Sequence, residues 1–200
     1  GSKEALDTAK TNFKGVTSEV ESIKNELKTV NDRIEELNNK EKPTFVEEGE
    51  LEKLQAVSAE LLLQQEIAKD NQATAARELA EANRKAYRSV IGEKSIDDYS
   101  NQNIDKRFQG SYDASNINQA LAYKQIMENA LSTRMFDGVN IDDNKIYNEE
   151  YINRYIKQYT DFLESSITKV NELRKPLLEL RDIGLINSDE TAELEYLTGV

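Results

Sequence analysis

Residues 37–54, LNNKEKPTFVEEGELEKL, close one long helical pattern, turn within a few positions and open another. Pro43 ends the first pattern, because its ring crowds Lys42 out of the helical region. Thr44 then reads as an N-cap. Glu47, three residues on, completes a capping box in which each residue satisfies an orphan backbone donor of the other. A turn this short folds the second helix back antiparallel to the first. The device recurs: shifted by 143 positions without a gap, residues 180–197, LRDIGLINSDETAELEYL, repeat Leu, Glu, Glu-Leu-Glu and Leu, with Asn187 and Glu190 where Thr44 and Glu47 stand. Gly184 supplies the left-handed position at which a helix readily stops.

Upstream of the first turn, Leu6, Ala9, Phe13, Val16, Val20, Ile23, Leu27, Val30, Ile34 and Leu37 alternate spacings of three and four. That is a heptad seam. The helix it predicts is about 55 Å long, and one apolar stripe of that length needs a partner helix to be stable in water. The second helix is expected over 45–90. Its track is poorer: Leu51, Leu54, Leu61, Ala68, Ala75, Leu79, Ala82 and Ala86 fit, but Ser58, Gln65 and Gln72 fall on it too. Leu62, Leu63 and Ile67 broaden the stripe and predict contact with more than one neighbour there. The small residues of 73–86 suit close approach of another helix, although alanine is also simply the best helix former.

Residues 92–115 break the pattern with Asp, Asn, Gly and Ser, interleaved with Ile96, Tyr99, Ile104, Phe108 and Tyr112. A connection of this length is functional or disordered, and the five apolar anchors favour an ordered one, so it is a candidate binding surface. A shorter helix is expected over 115–135. A last long helix starts within 144–148, on a second seam of Ile152, Ile156, Tyr159, Leu163, Ser166, Val170, Leu173, Leu177 and Leu180. Pro176 falls inside it and predicts a kink, since the seam continues in phase beyond it.

The expected fold is therefore all-α: a long antiparallel helical hairpin or coiled-coil-like bundle, with one shorter helix and a long connecting loop. Residues 1–2 read as an expression scar, 3–91 as the hairpin, 92–115 as the loop, and 116–183 as the short and long helices. Residues 184–200 read as the start of a second, truncated hairpin, so the chain is expected to be a fragment. The seam residues Leu27, Val30, Ile34, Leu37, Leu51, Leu54, Val170, Leu173, Leu177 and Leu180 would carry the packing.

Composition agrees with long two-sided helices. The chain is 38% apolar and 32% charged, with a mean hydropathy of -0.73, which is lean for a globular core. The net charge of -12 speaks against nucleic acid, because phosphate binding needs a basic patch that releases counterions. The chain has neither Cys nor His, which removes disulfides, thiolate or imidazole zinc sites and His-dependent triads. No apolar run approaches membrane-spanning length.

No catalytic or cofactor site is expected. Around Asn140 the acidic segment fails as a calcium loop, with Lys145 where Gly is required and Tyr151 where the bidentate Glu belongs. The pairs Asp97-Asp98, Asp142-Asp143 and Glu149-Glu150 read as solvated, since adjacent helical residues do not face each other. Tyr147, Tyr151, Tyr155 and Tyr159 stand four apart on one helix face. They suit either a stacking platform for sugar or protein, or the half-buried edge of a helix interface.

The run KTVNDRIEELNNKEKPTFVEEGELEKLQAVSAELLLQQEIAKDNQATAARELAEA, residues 28–82, resembles helical regions of tail tape measure proteins from phages and prophages of Gram-positive bacteria. Residues 173–197 and the stretch SYDASNINQALAYKQIMENAL are similar in style. The resemblance implies an elongated helical protein of the virion tail, assembled in the bacterial host cytoplasm. Its partners would be tail tube or tail-assembly proteins and copies of itself, with no catalytic residue carried over. The alternative is a helical interaction module of a Gram-positive secreted or surface protein, in which the Tyr face and the long loop would make the contacts.

Overall fold

The computed structural model describes residues 1–87, 116–132 and 149–199. About 90% of these are helical, in five helices, and no strand occurs among them. In chain order the helices are α1 (Ser2–Asn38), α2 (Phe45–Ala86), α3 (Ile117–Ser132), α4 (Glu149–Asp182) and α5 (Ser188–Thr198). Ser2 lies inside α1, so only Gly1 of the expected scar stands outside the helix. α2 ends a few residues before the expected position and Tyr87 turns out of it. The 92–115 connection lies outside the described residues.

The chain forms two compact units, Gly1–Ala82 and Asn83–Val200. Their boundary falls inside α2, not at the 91/92 division suggested by composition.

In the first unit α1 and α2 pack closely as a hairpin. Ile23, Leu27, Leu61 and Ala68 form a buried cluster with Val20 and Val30 against it, and Leu37 is buried at the closed end. Polar rungs fix the register. Arg33 donates to Glu50, Ser58 Oγ donates to Asn31 Oδ1 at 2.9 Å, and Gln72 Nε2 donates to Thr17 Oγ1 at 3.4 Å. Ser58 and Gln72, which weakened the apolar track of α2, are thus rungs of the ladder. A one-turn slip would separate these partners, so polar seam residues specify register at some cost in stability.

Leu62, Leu63 and Ile67 do not broaden the buried stripe; they are 52%, 68% and 63% exposed. Leu62 and Leu63 follow the buried Leu61, and each step along a helix rotates a side chain well away from its neighbour. The widening occurs farther on. From Ala73 onward α2 buries Ala73, Ala75, Ala76, Leu79, Ala80 and Ala82, two adjacent tracks in place of one.

In the second unit α4 is the spine. Leu163, Val170, Leu173, Leu177 and Leu180 are almost completely buried. α5 folds back over the C-terminal part of α4, where Arg174 Nε donates to Thr198 Oγ1 at 3.1 Å. α3 covers the earlier part: Ala120 and Leu163 form a buried pair with Tyr123, Tyr159 and Ile167 around it. The two covers meet end to end. Gly199, at the C-terminal end of α5, is so close to the start of α3 that a Cβ there would lie 2.8 Å from Asn116 Oδ1. α5 and α3 together therefore do for α4 what α2 alone does for α1.

Pro176 sits fully buried inside α4, which runs on to Asp182. A proline has no N–H to give the carbonyl four residues back, here that of Glu172. Asn83 supplies the missing donor: its Nδ2 reaches Glu172 O at 2.9 Å, and Asn83 is itself 1% exposed.

Candidate functional site at the helical joints

The two turns singled out by sequence are each held by a set of specific polar contacts. At the first joint, Glu47 N–H donates to Thr44 Oγ1 and Thr44 N–H donates to Glu47 Oε1, both at 3.1 Å. This is the capping box read from the residue types. Lys40 reaches across the turn to pair with Glu47. The Lys40 ammonium and the Thr44 backbone hold the Glu47 carboxyl down at about 2. One turn into α2, Glu50 takes a two-pronged contact from Arg33, Nε to Oε1 at 2.8 Å and NH2 to Oε2 at 3.1 Å. That pairing lowers the Glu50 pKa and raises that of Arg33, which also contacts Glu36.

The second joint closes by a different stop and the same start. Gly184 adopts φ +76, its N–H bonds Arg181 O at 3.0 Å, and Leu185 N–H bonds Leu180 O at 2.9 Å. These two bonds make a Schellman stop, which favours glycine at its left-handed position. Glu190 N–H then donates to Asn187 Oδ1 at 2.8 Å, and Asn187 N–H donates to Glu190 Oε1 at 3.0 Å. One turn into α5, Glu193 takes Arg84 NH1 at 3.0 and 2.7 Å. Here the pair is buried, Arg84 at 8% and Glu193 at 0% exposure.

The correspondence is position by position. The shift that superimposes Leu37 on Leu180 also places Glu47 on Glu190, Glu50 on Glu193, Leu51 on Leu194 and Leu54 on Leu197. Carried back along the helices, it lays the α1 seam, Phe13 through Leu37, on the α4 seam, Ile156 through Leu180. Each joint is thus a stop, a capping box and a Glu clamped by an arginine. At the first joint that arginine lies on the preceding helix, and at the second it lies on α2.

Of the expected seam residues, Leu27, Leu37, Val170, Leu173, Leu177 and Leu180 are buried, whereas Val30, Ile34, Leu51 and Leu54 are half-buried. A two-helix layer leaves the flanks of its seam open, which explains the difference. Of the Tyr face, Tyr147 lies outside the described residues, and Tyr151 and Tyr155 are described only as helical backbone. Tyr159 is half-buried against Ala120 and Leu163, and stacks on Phe162 with ring centroids 6.2 Å apart. It belongs to the α3–α4 packing.

The Arg84–Glu193 and Asn83–Glu172 contacts were not anticipated. The one available signal for the first was that Glu193 repeats Glu50. Nothing in the sequence pointed to Arg84 as its partner, because the two are 109 positions apart. The joint carboxylates are engaged in caps and arginine pairs. Among the described residues no cluster of metal-binding side chains forms, and no helix is long and apolar enough to cross a membrane. In comparisons with known proteins, no family, curated protein or solved structure matches the chain.

Proposed function

We propose that the chain is a non-enzymatic structural segment of a phage or prophage tail tape measure protein, acting in the virion tail after assembly in the host cytoplasm. The observation that carries this reading is the register-matched repeat of a long seamed helix ending in a capped, arginine-clamped joint. A molecule whose length is its function gains from modular helices with firm joints, because the length of each helix is fixed by its residue count. Tail tube and tail-assembly proteins are the partners this role requires. In a phage carrying the parent gene, in-frame removal of one repeat should shorten the tail, measured by electron microscopy. Unchanged tail length would overturn the proposal.

A second reading, a helical interaction module of a secreted or surface protein, is favoured by the exposed Leu62, Leu63 and Ile67 of α2, since contiguous apolar surface marks contact sites. Recovery of the parent protein from culture medium, in cells free of tail particles, would support it over the first.

A further inference from the structure

We infer that one flank of the α1–α2 hairpin is a docking groove for a cationic amphipathic helix supplied by another protein. A groove of about 680 Å³ runs along α1 beside α2, with Val30, Val57 and Leu61 as its apolar floor. Val57 is 42% exposed although it lies on a hairpin with a thin core. On the α1 side Ser18, Ser22, Asn25 and Thr29 line it at spacings of four and three. Side chains this short form a low ledge along which a third helix backbone can approach closely, as interhelical distance is set by the side chains at the contact.

Charge selects the occupant. Glu21 and Glu26 are the charged side chains that line the groove, and no lysine or arginine does. Neither carboxylate has an ion pair or hydrogen bond among the described residues. A second copy of this chain, with its net charge of -12, would bring carboxylates against carboxylates. A helix with an aliphatic stripe flanked by Lys or Arg meets both the floor and the rim, and complementary potential also speeds its encounter. The inference stands apart from the tail reading, because any partner of this chemistry satisfies it.

The test uses the full chain and a labelled Leu/Lys amphipathic peptide of about 18 residues, long enough to lie along the groove, with fluorescence anisotropy at about 0.15 M salt. The expected result is saturable binding, weakened roughly tenfold or more, about 1.4 kcal/mol, by Val57→Lys and by Glu21→Lys with Glu26→Lys. Leu121→Lys, on the exposed face of α3, should leave it unchanged. Circular dichroism should show the same helicity in all variants, as every substituted side chain is solvent-accessible. Equal binding by a peptide with its Leu residues scrambled around the helix would overturn the inference, as would equal binding by a Leu/Glu peptide or by the Glu21→Lys, Glu26→Lys variant. A chain that is dimeric by light scattering and becomes monomeric on Val57→Lys would assign the groove to a second copy and overturn it too.

Discussion

Asn83 and Pro176 compensate each other across the second unit. Removing the amide by Asn83→Leu leaves Glu172 O without its substitute donor and should cost about 1–3 kcal/mol in urea unfolding. Pro176→Ala restores the helical donor, so in that background Asn83→Leu should cost much less; equal costs in both backgrounds would refute the compensation. The arginine clamps differ by burial. Glu193→Gln removes the negative charge that faces a buried guanidinium and should cost about 3–5 kcal/mol, whereas Glu50→Gln at the half-exposed first joint should be nearly silent. Glu47 gives the molecule an acid limit. Its folded pKa of about 2 lies below the ordinary 4.5, so its contribution is complete above pH 4.5 and fades as pH falls toward 2. Glu47→Gln should flatten the loss of stability over that window.

At the scale of single elements, both capping boxes were legible because a cap is a local contract between residues three apart. Gly184 was legible for the same reason. The glycines give a graded test. Gly15 and Gly49 lie inside α1 and α2 with open space around the missing Cβ, so alanine there should stabilise by about 0.5–1 kcal/mol. Gly184→Ala meets no atom but must hold φ +76, at a cost of about 1–2 kcal/mol. Gly199→Ala adds a 2.8 Å clash with Asn116 to φ +93 and should cost more than Gly184→Ala by thermal unfolding. The reverse order would show that α5 and α3 are not pressed end to end. Leu62, Leu63 and Ile67 stay exposed for a reason that also lies within one helix. An apolar run of adjacent residues on a helix points in several directions, and periodicity cannot say which of them will find a neighbour.

For the whole molecule, Leu37→Asp and Leu180→Asp place a charge in the buried end of each seam and should each cost upward of about 3 kcal/mol, while Leu63→Asp on the open side of α2 should be almost neutral. Hydrogen exchange should separate the two seams, with Leu37→Asp raising exchange within 1–82 and Leu180→Asp within α4 and α5; similar profiles for both would contradict two compact units. By itself the sequence determined the all-helical class and the joint at 37–54 with its counterpart at 180–197, because periodicity and capping act over one or two helical turns. Tertiary structure alone decided that the joints share an arginine clamp, that Asn83 serves the carbonyl freed by Pro176, and that α5 and α3 divide the cover of α4. Those contacts join residues far apart in the chain, where spacing carries no information and only packing chooses the partner.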